Sequence, residues 1–166
     1  VLHFASCQIH KDRVEELLDE PKNVYNVGAL SLDNILQIDF LSIKQFNEKW
    51  GIDFNNDTAL VTFHPETVNV EKSADYATEI VELMKDNTQI QFLITMPNAD
   101  TAGNVIRNIF IDELTSLPHV FMEENLGTQS YFSAMKHCKF LLGNTSSGII
   151  EAASFNKYVI NLGNRQ

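Results

Sequence analysis

The chain has 166 residues, 44% of them hydrophobic, and a formal net charge of −10. That is enough apolar material for one globular domain with a core, and the acidic balance argues against nucleic acid as a partner. The sequence has neither an apolar run long enough to span a bilayer nor a signal-peptide pattern, so no membrane role is expected.

Taken in order, His3-Phe4-Ala5 reads as the tail of a strand. Helical spacing follows from Ile9 through Val14, Leu17 and Leu18, and Pro21 should end that helix. Val24 to Val27 is a short extended run closed by Gly28. Ser42 is placed to cap a helix whose Ile43, Phe46 and Trp50 share one face, and Gly51 should terminate it. From there strands and helices alternate. Ala59–Phe63 reads as a buried strand, Glu71 to Lys85 as a helix and Ile90–Thr95 as a strand. Thr101 to Leu114 follows as a helix with Val105, Ile106, Ile109 and Phe110 inward. His119–Met122 is a strand, Ser130 to His137 a helix, Lys139–Leu142 a strand and Tyr158–Asn161 a last strand. Such alternation predicts an α/β, Rossmann-like parallel sheet with helices on both faces. There is no internal repeat.

The stretch Cys138–Phe155 organises this pattern. A strand ends at Gly143, and Asn144-Thr145-Ser146-Ser147-Gly148 then forms a small polar loop. Ile149, Ile150, Ala152, Ala153 and Phe155 are expected to begin a buried helix. The loop suits an ordinary capped strand–helix turn. It can also receive a phosphate, because open N–H groups and the positive end of a helix dipole point the same way, although the ordinary turn is the commoner use of such a loop.

In parallel sheets ligands sit beyond the carboxyl ends of the strands. That rule selects His64, Asn98, Asp100, the 143–148 loop and Arg165. His64 precedes Pro65, which holds it extended at the sheet rim. It is there either as a surface histidine or as a site residue. Asn98 and Asp100 lie in a proline turn that also offers a helix cap, best supplied by Asp100 or Thr101. Glu151 has the apolar neighbours Ile150 and Ala152, and a carboxylate accepts two hydroxyl donors well. Arg165 follows the turn Leu162-Gly163-Asn164 and could pair with phosphate in two-pronged fashion. His3, His10, His119 and His137 have no comparable position. Cys7 and Cys138 fit no metal spacing and read as reduced thiols of a cytoplasmic protein. Neither a metal nor another cofactor is expected.

Gly143-Asn144-Thr145-Ser146-Ser147-Gly148, then Glu151, Asn161-Leu162-Gly163 and Arg165-Gln166, resembles the signature of the UDP-N-acetylglucosamine 2-epimerase family. The resemblance runs over the whole chain. It implies the GT-B arrangement of two Rossmann-like domains facing across a cleft. On that reading, residues 1–30 are the end of the first domain and the crossover. Residues 31–166 are the UDP-binding second domain, without its last elements. The abrupt ends at Val1-Leu2-His3-Phe4 and Arg165-Gln166, with no polar tail, fit a piece of a longer chain. The resemblance gives His64 a catalytic role near the phosphates. It makes Asn98, Thr145, Ser146, Glu151 and Arg165 the UDP-binding residues, with Thr145 and Ser146 on the diphosphate and Glu151 on the ribose hydroxyls. The loop Asn125–Thr128 would lie near the base.

His64-Pro65-Glu66-Thr67 resembles the hydrolysing branch of the family, since the non-hydrolysing branch follows this histidine with two arginines and a glutamate. The implied reaction removes the C2 proton of the sugar and expels UDP from C1. The resulting glycal is then hydrated with the opposite C2 configuration, giving free N-acetylmannosamine, a precursor of sialic acid. The family's proton-transferring carboxylates and its dimer contacts lie on the first domain. Alternatives are a UDP-diacetamido-trideoxyhexose as substrate, a GT-B glycosyltransferase, or a nucleotide-binding domain without catalysis.

Overall fold

The computed structural model describes residues 1–19, 22–66, 72–99 and 101–165, with Thr101 and Ala102 described by backbone alone. The helix stop expected at Pro21, the helix start at Glu71, the cap at Asp100 and the last motif residue, Gln166, lie outside these residues. The chain forms two compact units, residues 1–38 and 39–166.

In the first unit, β1 (His3–Ala5) and β2 (Val24–Asn26) pair in parallel, with α1 (Gln8–Leu18) between them in sequence. A short helix, α2 (Leu30–Ile35), follows.

The second unit opens with α3 (Ile43–Trp50). Ser42 and Gln45 form a reciprocal capping box at its start, and Gly51 closes it at φ 72°. Five strands then make one parallel sheet. They are β3 (Thr58–Thr62), β4 (Gln91–Thr95), β5 (Val120–Glu123), β6 (Phe140–Gly143) and β7 (Tyr158–Asn161), in the order β5-β4-β3-β6-β7. Leu60 stands opposite Leu93 on one side and Leu141 on the other. The connecting helices are α4 (Ser73–Asp86), α5 (Thr101–Leu114), α6 (Gly127–His137) and α7 (Ser146–Ile150).

Because strand side chains alternate between faces, each face collects its own core. Ala59, Val61, Phe63, Phe92 and Ile94 pack with Ala77, Ile80, Val81 and Met84 of α4 and Ile106 and Phe110 of α5. Phe46 of α3 meets Phe54 edge-on at 4.9 Å, and Phe54 lies 5.8 Å from the His137 ring of α6, so that pair of helices forms its own apolar layer. The expected doubly covered parallel sheet is therefore the observed one. No described helix is long and apolar enough to cross a membrane.

Three local expectations fail. Val105 is turned outward, while Ile106, Phe110 and Leu114 are buried on the sheet-facing side of α5 and Ile109 packs against them. The helix expected from Ser130 begins at Gly127, whose N–H is held by the Asn125 side chain at 2.7 Å. After the polar loop there is no long buried helix: α7 has five residues, and a 3-10 turn, Ala152–Phe155, follows. Ile149 and Ile150 are exposed. Gly148 explains the tight fit, since a Cβ there would lie 2.9 Å from Val159 Cγ1 of β7. The segment thus hugs the edge strand and is too short to present a second apolar turn to the sheet.

Cys138 ends α6 in the core, and burial pushes its thiol from an ordinary 9.0 up to about 11. A raised folded-state value favours the fold below pH 9 and withdraws that support as pH climbs toward 11. Iodoacetamide at pH 8 should accordingly label the half-buried Cys7 and spare Cys138. Both should react in denaturant, with mass spectrometry counting the adducts.

Candidate functional site at the carboxyl ends of the strands

The central strand β3 ends at Thr62, and His64 follows at the rim, half-buried. On one side β6 ends at Gly143. Its φ of 134° and its approach to Thr62 admit glycine: a Cβ would sit 2.0 Å from the Thr62 carbonyl oxygen. That contact delivers Asn144 directly beside the end of β3. Asn144 is fully buried. Its Oδ1 accepts from the His64 backbone N–H at 2.8 Å, and its Nδ2 donates to the His64 carbonyl at 2.8 Å. Its own carbonyl accepts from Arg165 Nη1 at 2.9 Å.

Thr145 caps α7, its hydroxyl accepting from the Ser147 N–H at 3.3 Å. Ser146 is exposed on the first residue of that helix. A five-residue helix has little macrodipole, and the N–H groups of Asn144, Ser147 and Gly148 are taken within the fold, so the positive character of this corner comes chiefly from Arg165. Arg165 is exposed, and one of its five donors is spent on Asn144. Glu151, at the end of α7, is only 6% exposed, and its Oε2 is buried without a hydrogen-bond partner among the described residues. Trp50 Nε1 and Ser73 Oγ are likewise buried with no partner among the described residues.

On the other side of β3, β4 leads into buried Pro97 and exposed Asn98. Arg107 of α5 braces this side: its Nη1 donates to the Pro97 carbonyl at 3.0 Å and its guanidinium pairs with Glu124. The hydrogen bond from Arg107 holds the Glu124 carboxyl below the usual range, while burial pushes neighbouring Glu123 up. A cavity of about 280 Å³ lies here, lined by Thr95, Glu124–Thr128, Tyr131, Phe132 and Ser147. It joins the Asn125–Thr128 segment to the 143–148 loop.

The structure thus gathers His64, Thr145 and Arg165 around Asn144, with Ser146 and Glu151 on the same short helix. Asn98 stands two strands away from Asn144, across β3. Sequence reasoning gave no individual role to Asn144, Glu66 or Arg107. Their partners lie 80, 98 and 17 positions away, and no local pattern connects them.

A model of the UDP-N-acetylglucosamine 2-epimerase family matches residues 1–166. The GDP/UDP-N,N'-diacetylbacillosamine 2-epimerase (hydrolyzing) of Campylobacter jejuni is 33% identical over 99% of this chain and 43% of its own length. The UDP-N,N'-diacetylbacillosamine 2-epimerase (hydrolyzing) of Legionella pneumophila is 32% identical, again over 99% of this chain and 43% of that protein. The chain therefore spans less than half the length of these relatives. The crystal structure of the Neisseria meningitidis UDP-GlcNAc 2-epimerase bound to UDP-GlcNAc superposes with a TM-score of 0.81, covering 98% of this chain and 44% of that one at 21% identity. The fold is thus one half of the GT-B-type architecture of these epimerases, and the chain belongs to the UDP-N-acetylglucosamine 2-epimerase family.

Proposed function

We propose that this chain is the UDP-binding part of a hydrolysing 2-epimerase, with residues 1–30 closing a first domain and residues 31–166 forming the nucleotide domain. The observation that carries this reading is the buried Oε2 of Glu151, at the end of the short helix that Thr145 caps, which has no partner among the described residues, together with Arg165 held at the Asn144 carbonyl just before that helix. A nucleoside diphosphate supplies the complement: two ribose hydroxyls for a carboxylate and a dianionic bridge for N–H, hydroxyl and guanidinium donors. Thr145, Ser146 and Arg165 neutralise the diphosphate as it leaves C1, and His64 stands at the same rim. Asn98 lines the nucleotide site, and the Asn125–Thr128 segment lies near the base.

Exposed apolar groups support the larger assembly. The first unit leaves Phe4, Ile9, Leu17 and Tyr25 open, and Tyr158 and Ile160 of β7 are likewise uncovered. A two-stranded ribbon with two short helices does not complete a core by itself. The proton-transferring carboxylates and the dimer contacts then belong to the first domain, and the protein works in the cytoplasm.

For the sugar, UDP-N-acetylglucosamine is the first reading, giving UDP and N-acetylmannosamine. A UDP-diacetamido-trideoxyhexose is the second, favoured by the names of the two relatives above 30% identity. A product assay of the whole protein with both substrates decides between them. Transfer of the sugar to an acceptor would instead make it a glycosyltransferase.

The binding reading is tested by calorimetric titration of UDP with Ser146→Ala as the paired variant. Loss of one hydroxyl donor to a charged group should weaken binding about tenfold. Equal affinity in the two proteins would remove the diphosphate from this helix start.

A further inference from the structure

Asn144 and Glu66 have no place in the functional reading above, yet both are buried polar residues at its centre, and each joins two strand-end loops. Asn144 spans the backbone of one residue: an acceptor to the His64 N–H and a donor to the His64 carbonyl, both at 2.8 Å. An asparagine amide is suited to that task, since it offers one oxygen and one NH₂ in a single plane. Its backbone is equally committed, with its N–H donating to the Thr62 carbonyl at 3.1 Å and its carbonyl accepting from Arg165. Glu66, 5% exposed, reaches the third loop. Its Oε1 accepts from the Asn164 N–H at 2.8 Å, one residue before Arg165. The turn comes so close that a Cβ on Gly163 would stand 2.2 Å from Oε1.

The ends of β3, β6 and β7 are therefore tied by two side chains, and the two groups so tied are His64 and Arg165. We infer that Asn144 and Glu66 are positioning residues: Asn144 sets the place of His64, and Glu66 sets the turn that presents Arg165 to the ligand. The inference rests on the reading of this corner as a diphosphate site. Neither residue needs to touch the nucleotide. Each converts a flexible rim into a fixed set of donors, and preorganised donors bind a diphosphate without first having to be ordered.

The test is UDP affinity in the whole protein, with thermal unfolding alongside. His64→Ala and Arg165→Ala come first, and each should weaken UDP. Asn144→Ala should weaken it about tenfold and Glu66→Ala several-fold, roughly the worth of a hydrogen bond to a charged ligand. Glu66→Gln keeps an acceptor for the Asn164 N–H and should bind within about twofold of the parent. The decisive readout is coupling: Glu66→Ala should cost little further affinity once Arg165 is alanine, and Asn144→Ala little once His64 is alanine. Asn144→Ser, which cannot span both backbone groups, substitutes if the alanine variant does not fold. A merely structural role would lower the melting temperature and leave the affinity of the folded protein unchanged, which overturns the inference. So would costs that add in the double variants, or Glu66→Gln as weak as Glu66→Ala. If UDP does not bind the parent, or binds the His64 and Arg165 variants equally well, the diphosphate reading itself falls and takes the inference with it.

Discussion

Gly143→Ala should cost about 4 kcal/mol of stability, the sum of a side chain at a disfavoured positive φ and overpacking against rigid backbone. The position is the last residue of β6, at φ 134°. The added methyl would lie 2.0 Å from the carbonyl oxygen of Thr62 and 2.7 Å from its carbon. Those atoms belong to the central strand, and the same oxygen accepts from the Asn144 N–H at 3.1 Å. No side-chain rotation relieves the clash, so β3 and β6 must separate where their pairing ends. For a chain of this length the loss corresponds to a fall in Tm of about 10 °C. Gly51→Ala is the control: it also has positive φ, 72°, but nothing lies within 4 Å of the new Cβ. It should cost only about 1 kcal/mol, the conformational part alone. Thermal unfolding of the three proteins separates the two contributions. Melting of Gly143→Ala within 3 °C or so of the parent would show that the strands close without this contact. Because Asn144 is the next residue, the same variant should also misplace the His64 clasp and weaken nucleotide binding.

The middle of the sheet was legible because β3 and β4 are buried on both faces. Leu60-Val61 and Phe92-Leu93-Ile94 are continuous apolar runs, the pattern of a central parallel strand. The α3 helix was legible from its ends, Ser42 with Gln45 and then Gly51. Other boundaries slipped for physical reasons. Gly127 looks like a loop residue and keeps a positive φ of 67°, its N–H bonded to the Asn125 side chain, yet α6 begins at it. Ile149 and Ile150 look like core, yet Gly148 draws the short α7 so close to Val159 that the turn after it is 3-10. At the candidate site, a rule about strand ends found His64, Thr145 and Arg165, because topology alone brings strand ends together. It took in Asn144 only as one residue of the 143–148 loop, with no role of its own, and did not find Glu66. A buried amide that binds a backbone 80 residues away has the same one-dimensional appearance as a turn asparagine.

Glu151→Gln should move stability and binding in opposite directions. In the fold the Glu151 carboxylate is 6% exposed and its Oε2 has no donor among the described residues. Holding a charge there without a full set of partners is unfavourable, and a neutral amide of the same shape removes the charge penalty, so unfolding should shift upward by about 1 kcal/mol. With UDP present the balance reverses. Two ribose hydroxyls donate well to a carboxylate, but an amide offers them a single, weaker acceptor. The expected loss is about 10- to 100-fold in Kd, or ~1.4–2.7 kcal/mol. The nucleotide can carry the same test. Wild type should bind 2'-deoxy-UDP more weakly than UDP, and Glu151→Gln should bind the two nearly alike, because the group that senses the hydroxyl has been blunted. If the substitution lowers stability, the carboxylate is already satisfied in the fold and its orphaned oxygen signals nothing. If it leaves UDP affinity unchanged while Ser146→Ala weakens it, the ribose lies elsewhere and only the diphosphate half of the site stands. A stabilised protein with weakened, ribose-blind binding is the outcome that a carboxylate kept ready for a ligand requires.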